Sequence, residues 1–328
     1  MSIDEVARKA CVSTATVSRV LNGSKAVKAS TRARVEAVIA AEGYSANLLA
    51  RNLRTAQSRL LLTMVPDVGN PFYAEIVRGI AAVTRRNGYN ILLCDTGADP
   101  SAERAYFDML RTRLADGAIC LDPDTAQRAF GSASESLRWV ACCEFDPKGP
   151  VPYVGIDNAA AAQTVMKYLI GRGYKRIALI NSDERFLYAR ERRNGYLDSL
   201  RNAGLAPFDG AIQNTQGLSF DDGRRVTARL LAGSVRPDAI FAVSDTLAIG
   251  AMRAVRDSGL SVPGDVAVVG FDNVPFAAMV EPGLTTVAQP MFRLGENAAK
   301  LLLERIRNPD QPLISTLLEH ELVIRGSA

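Results

Sequence analysis

Apolar residues recur at three- and four-residue intervals over the first part of the chain, and in short solid blocks over most of the rest. The first spacing is that of one face of an α-helix, and the second is that of strands buried on both faces. Val6 and Ala10, then Val17, Val20 and Leu21, then Val35, Val38 and Ile39 mark three short amphipathic helices. The first is expected over about 3–10, with a break at Cys11 and Val12. Ser13 is a good N-cap for a second helix over 14–21, which Asn22, Gly23 and Ser24 end. The segment 43–58, GYSANLLARNLRTAQS, has enough apolar residues for about two helical turns, which would order only when something packs on them. Beyond it the blocks LLLTMV, YNILLC, GAICL, WVACC, RIALIN, AIFAV and VAVVGF read as buried strands alternating with helical stretches. That alternation predicts parallel sheets covered on both faces. The expected fold class is an all-α helix-turn-helix domain followed by an α/β body of two similar units.

A length of 328 residues suits two or three compact units, and 48% hydrophobic with 23% charged residues is ordinary for a globular protein. No apolar run approaches the roughly 18 residues of a membrane helix, and MSIDEVARKA is too polar for a secretory signal, so the expectation is a cytoplasmic protein without a membrane partner. Five cysteines, Cys11, Cys94, Cys120, Cys142 and Cys143, show no C-x-x-C spacing and read as structural thiols. The single histidine, His320, excludes His-rich zinc patterns and argues against a Ser/His/Asp triad. There is no G-x-x-x-x-G-K-[ST] loop and no complete G-x-G-x-x-G. No catalytic residue, metal or cofactor is expected.

Charge is unevenly placed. Residues 1–60 hold ten Lys/Arg against four Asp/Glu, whereas the remaining 268 hold 29 against 31. A basic head on a near-neutral body is an electrostatic footprint for phosphate. The outer face of the second helix offers Thr14, Ala15, Thr16, Ser18 and Arg19, small or hydrogen-bonding side chains beside a guanidinium, which suit entry into a DNA major groove.

The stretch DEVARKACVSTATVSRVLNGSKAVKASTRARVEAVIAAEGYSANLLARNL resembles the DNA-binding head and hinge of the lac repressor family. Later segments, among them VPDVGNPFYAEIVRGI, YVGIDNAAAA, RGYKRIALI, AVSDTLAIGAMRAVRDSGLSVPGDVAVVGFDN and PGLTTVAQP, resemble family segments in the same order. STATVSR and VPDVGNPFYAEIVRGI look most like a nucleoside-responsive member. The resemblance implies a head at 1–44, a hinge helix and linker at 45–58, and a two-lobed, periplasmic-binding-protein-like body at 59–328. Lobe one would take about 59–156 and 290–312, and lobe two about 157–286 and 313–328.

The same resemblance implies roles. Thr14, Ala15 and Arg19 match base-reading positions, and Ser13, Thr16, Ser18 and Asn22 match phosphate-contacting ones. Leu53 matches the hinge leucine that wedges into the minor groove, with Asn47, Ala50 and Arg54 as its groove-lining neighbours. Effector-binding positions fall on Phe72, Tyr73, Glu144, Phe145, Asp157, Arg192, Leu218, Ser244, Asp272 and Gln289. Two departures stand out: Cys11 replaces a turn glycine, and Lys28 replaces a capping serine, leaving Ser30 or Thr31 to cap the third helix. The implied protein is a homodimeric transcription regulator that binds a near-palindromic double-stranded DNA operator under control of a sugar or nucleoside. A sugar-binding transport protein and a nucleotide-dependent enzyme on a doubly wound sheet are the alternatives. The first has no use for the basic head, and the second lacks a phosphate loop.

Overall fold

The computed structural model describes residues 2–21, 23–44, 57–122, 137–309 and 311–328. The chain forms two compact units, one ending at Ser58 and one beginning at Arg59. Among the described residues no helix is long and apolar enough to cross a membrane.

The first unit contains α1 (Ile3–Lys9), α2 (Thr14–Leu21) and α3 (Ala29–Ala41). Ser2 and Glu5 form a reciprocal capping box at the start of α1. Ser13 Oγ accepts from the Thr16 N–H at 3.2 Å, as expected of the cap of α2. Val6, Ala7, Ala10, Val17, Val20 and Val35 make a small common core. Arg34 Nε, reaching from α3, donates to the Ala10 carbonyl at 2.9 Å and pins the end of α1. Cys11 takes φ 52°, the left-handed geometry anticipated where the family has glycine. The expectation that Ser30 or Thr31 caps α3 is corrected: Lys28 is the N-cap and no side chain bonds there. Asn22, Asn47, Ala50, Leu53 and Arg54 lie outside the described residues, as does most of the expected hinge helix.

In chain order the second unit has β1 (Leu60–Val65), α4 (Pro71–Arg86), β2 (Asn90–Asp95), α5 (Pro100–Arg111), β3 (Gly117–Cys120), β4 (Trp139–Cys142) and β5 (Tyr153–Ile156). Then follow α6 (Asn158–Gly171), β6 (Ile177–Asn181), α7 (Leu187–Asn202), β7 (Ile212–Asn214), α8 (Phe220–Leu231), β8 (Ala239–Ala242), α9 (Asp245–Asp257), β9 (Ala267–Asp272) and β10 (Thr285–Ala288). The last elements are α10 (Met291–Arg307), β11 (Thr316–Leu318) and β12 (Glu321–Val323). They build two six-stranded sheets, ordered β11-β5-β4-β3-β1-β2 and β12-β10-β9-β8-β6-β7. Pairing is parallel throughout except between β10 and β12.

The chain passes between the lobes at 157, at 289–290 and at 319–320. The third passage falls later than the sequence suggested. Residues 316–318, assigned there to the second lobe, pair with Val154–Ile156 in the first sheet. YNILLC also departs from its reading as a buried strand: β2 is an edge, and Leu92 and Leu93 are 40% and 42% exposed.

Packing against the first sheet explains α4. Pro71 pre-sets its first turn, Asn70 Oδ1 accepts from the Phe72 N–H at 3.0 Å, and Phe72, Ile76, Ile80 and Val83 form its buried stripe. It crosses α10 so closely that a Cβ on Gly295 would stand 2.0 Å from the Ile76 carbonyl oxygen, and one on Gly79 would stand 2.1 Å from that of Phe292. Only glycine admits this approach.

Candidate functional site

In a parallel sheet the chain leaves each strand at its carboxyl end, and ligands collect in the crevice there. Both sheets follow this rule around one cavity of about 210 Å³. From the first lobe come Pro66 and Asp67 after β1, Leu121 and Asp122 after β3, and Cys143 and Glu144 after β4. From the second come Ser182 and Asp183 after β6, Val243 and Ser244 after β8, and Asp272 at the end of β9. Phe72, Tyr73, Phe186, Tyr188 and Leu218 add aromatic and apolar surface.

Arg192 is the best-held polar group in the cavity. It is 5% exposed, and its guanidinium stacks 3.5 Å from the centroid of Phe271 and 4.9 Å from that of Tyr188. Nε donates to Asn158 Oδ1 at 3.0 Å and Nη1 donates to the Val243 carbonyl. Nη2 has no partner among the described residues, so one guanidinium edge remains for a ligand. Burial pulls the Arg192 pKa down from its usual value while the nearby Asp272 carboxyl holds it up. The stacking and the two donated bonds offset the cost of removing this cation from water.

Asp272 has φ 117°, Cys143 φ 72° and Ala98 φ 53°, so three cavity residues sit in backbone regions that non-glycine side chains rarely occupy. Burial pushes the Asp272 carboxyl up to about 7, against the opposing pull of Arg192 and of the bond from Gln289. Glu144 is pushed up to about 8 by burial, although the N–H groups of Leu187 and Tyr188 donate to it. The Tyr188 phenol is also raised by burial, and its oxygen accepts from Ser182 Oγ at 2.7 Å.

Seven residues singled out from the sequence meet at this cavity: Phe72, Tyr73, Glu144, Arg192, Leu218, Ser244 and Asp272. Three do not line it. Phe145 turns into the first-lobe core, where its ring stacks on Tyr153 with centroids 4.0 Å apart and fills the space a Cβ on Gly155 would need. The left-handed turn at Cys143 precedes this reversal. Asp157 is exposed and caps α6, accepting from the Ala160 N–H at 2.8 Å. Gln289 reaches the site indirectly, donating to Asp272 Oδ1 at 2.8 Å. Arg192 and Asp272, expected as a pair, share a field but form no ion pair with each other among the described residues. Tyr188 was missed, although it lies four residues before Arg192 and so on the same helical face. Ser182 and Asp183 were missed too, and their place after a strand end was the available signal.

On the head, Thr14, Ala15 and Arg19 are exposed, while Thr16 and Ser18 are half-buried and Val17 and Val20 face the core. The Ser13 hydroxyl is used locally, 3.0 Å from that of Thr16.

A helix-turn-helix head joined to a two-lobed body with a polar and aromatic cavity defines a ligand-responsive DNA-binding protein. Residues 2–47 match the model for bacterial regulatory proteins of the lacI family, and residues 166–328 match the periplasmic binding protein-like domain. The chain is 35% identical over 330 residues to the HTH-type transcriptional repressor CytR of Escherichia coli strain K12, an alignment covering 99% of this chain and 96% of that protein. The lac repressor dimer bound to operator and an anti-inducer superposes with a TM-score of 0.88 at 26% identity, covering 100% of this chain and 98% of that one. A LacI family regulator from Enterococcus faecium with bound ribose gives 0.72 at 26% identity, covering 82% and 98%. The chain belongs to the lacI family of bacterial regulatory proteins. It is a DNA-binding transcriptional regulator with an effector-binding domain, and not an enzyme.

Proposed function

We propose that this regulator is a cytoplasmic homodimeric repressor whose operator binding is set by an uncharged, hydroxyl-rich ligand, a sugar or a nucleoside, held in the cavity between the lobes. The observation that carries the reading is the buried Arg192, stacked between Phe271 and Tyr188 with one guanidinium edge open to the cavity. A fixed donor edge of this kind, near the Ser244 and Asp272 side chains, suits vicinal hydroxyls, and the aromatic lining suits a ring's apolar face. The lining carries five carboxyl groups, Asp67, Asp122, Glu144, Asp183 and Asp272, against the two guanidinium groups of Arg185 and Arg192. Burial leaves Glu144 and Asp272 only partly charged near neutrality, but the other three carboxyls against two guanidinium groups still give no cationic surplus for a phosphorylated ligand. Ribose in the Enterococcus faecium regulator supports the sugar class.

In this reading Thr14, Ala15 and Arg19 read bases, Ser13, Thr16, Ser18 and Asn22 hold phosphates, and Leu53 with Asn47, Ala50 and Arg54 engages the minor groove. The exposed leucines Leu92 and Leu93 on the edge strand β2 are apolar surface for a second copy to cover. Ligand binding shifts the lobes, and the shift alters how two heads meet one operator. Calorimetry of wild type and Arg192→Ala against nucleosides, pentoses, hexoses and their phosphates tests the site. One unphosphorylated member should bind wild type and bind the variant at least about tenfold more weakly, the effect of losing a charged hydrogen bond. Equal binding to both proteins would reject the site.

A further inference from the structure

Helix α7 begins without a cap of its own. Its N-cap residue is Phe186, which has no side-chain oxygen, and its first turn contains no acidic residue. The first amides of a helix have no intrahelical acceptor and need one from elsewhere. Here the acceptor comes from the other lobe: Glu144, which follows β4 of the first sheet, takes the Leu187 N–H on Oε1 and the Tyr188 N–H on Oε2, the latter at 3.2 Å. Glu144 is only 7% exposed.

The side chain of the same residue adds a second, independent contact. Leu187 packs against the hydrophobic cluster of Leu62, Trp139, Ala141, Phe145 and Val151, all of them first-lobe residues. One residue of the second lobe thus gives its amide to a first-lobe carboxyl and its side chain to a first-lobe core. These contacts bear on Tyr188, whose ring forms one wall of the Arg192 stack.

We infer that Glu144 and Leu187 form an interlobe latch: Glu144 is a positioning residue that keeps the cleft closed and α7 docked without itself serving as a ligand-recognition group. Both of its oxygens accept from α7 amides, and the guanidinium edge of Arg192 left open to the cavity is the group that recognises the ligand. The inference rests on the reading of the cavity as the effector site for its purpose, but its test needs no effector.

The test is amide hydrogen exchange on the ligand-free full chain, comparing wild type with Glu144→Ala, Glu144→Gln and Leu187→Ala. Glu144→Ala should speed exchange at 187 and 188 on the order of tenfold, the scale of a lost helix cap. It should also speed exchange across the opposing first-lobe segment 66–73, while the strand 177–181 stays as protected as in wild type. Glu144→Gln, which keeps one carbonyl acceptor, should restore part of the protection, and Leu187→Ala should expose 66–73 with the amide contact still available. Faster exchange confined to 187 and 188, with 66–73 unchanged in Glu144→Ala and Leu187→Ala, would reduce Glu144 to a local cap and overturn the latch. Unchanged exchange everywhere would overturn it as well. Either result leaves the effector-site reading to calorimetry, and loss of protection in 177–181 would mark a variant as unfolded, leaving the other two to decide.

Discussion

The guanidinium carbon of Arg192 lies 3.5 Å from the centroid of the Phe271 ring. Phe271 is the penultimate residue of β9 and Asp272 the last, so the same stretch that supplies the platform for the cation also supplies the carboxyl that shares its field. The arrangement uses the planarity of the guanidinium as well as its charge, and lysine cannot reproduce it. Arg192→Lys should therefore weaken effector binding by about 1.5–3 kcal/mol, close to the loss of a charged hydrogen bond. Operator binding without effector should stay within a few-fold of wild type. Titration calorimetry with the best ligand of the panel, paired with a gel-shift measurement, reads both effects.

On the head, Arg19 projects from the exposed side of α2 while Val17 and Val20 anchor the opposite side. Arg19→Ala should cost about 1–3 kcal/mol in operator affinity and relax the preference at one base pair per half-site. Wild-type affinity should fall linearly with salt on a double-logarithmic plot, because several phosphates are neutralised. Fluorescence anisotropy on matched and single-base-substituted duplexes over a salt series checks both.

Much of this molecule can be read from its residues, for physical reasons that differ by element. The second helix was expected over 14–21 and spans those residues, since an amphipathic repeat bounded by a serine cap and a glycine is local information. Cys11 in the left-handed region was also anticipated. Strand β2 was misjudged because an apolar run reports a preference for burial, whereas its place at the sheet edge is set by topology. The site divides in the same way. Arg192 and Asp272 were pointed to by the family resemblance. Asp272, at the end of an apolar strand, also carries a signal of its own, since a charge there demands a purpose, whereas Arg192 lies in the polar run RERRNGY and only the fold shows that it is buried. Phe145 and Asp157 were misplaced because core packing and helix capping use the same side chains as ligand binding, and only the path of the chain tells them apart.

The crossing of α4 and α10 makes a stability prediction. A methyl group on residue 295 would meet the Ile76 carbonyl at 2.0 Å and the Ile80 amide at 2.9 Å, both of them backbone. Gly295→Ala should destabilise the body by about 1–3 kcal/mol or more, the usual cost of overpacking, with a lower Tm in differential scanning calorimetry. Gly88→Ala meets no atom and serves as a comparison in which only the positive φ of 73° is strained.

The buried carboxyls set the pH dependence of the body. Burial raises Glu144 to about 8 and Asp272 to about 7, and it raises Asp245 in the same direction. A carboxyl whose folded pKa lies above its unfolded value favours the fold while protonated. That contribution is complete below the ordinary carboxyl range and is lost as pH rises through about 7 and then about 8. The Tm of the body should therefore decline across that window, and Glu144→Gln, which cannot ionise, should show a shallower decline. Thermal melts of both proteins in matched ionic strength provide the check.

Coupling between a small-molecule site and a DNA site on one chain is reciprocal: each ligand changes the affinity for the other by the same factor. The direct measurement is operator affinity of the full-length protein, with and without saturating effector, on a duplex selected from a random pool. Operator affinity should change at least about fivefold, in either direction, matched by an equal change in effector affinity when operator is present. Arg192→Ala, at the same effector concentration, should show no such change. An effector that binds the wild-type cavity while leaving operator affinity unaltered would contradict this coupling.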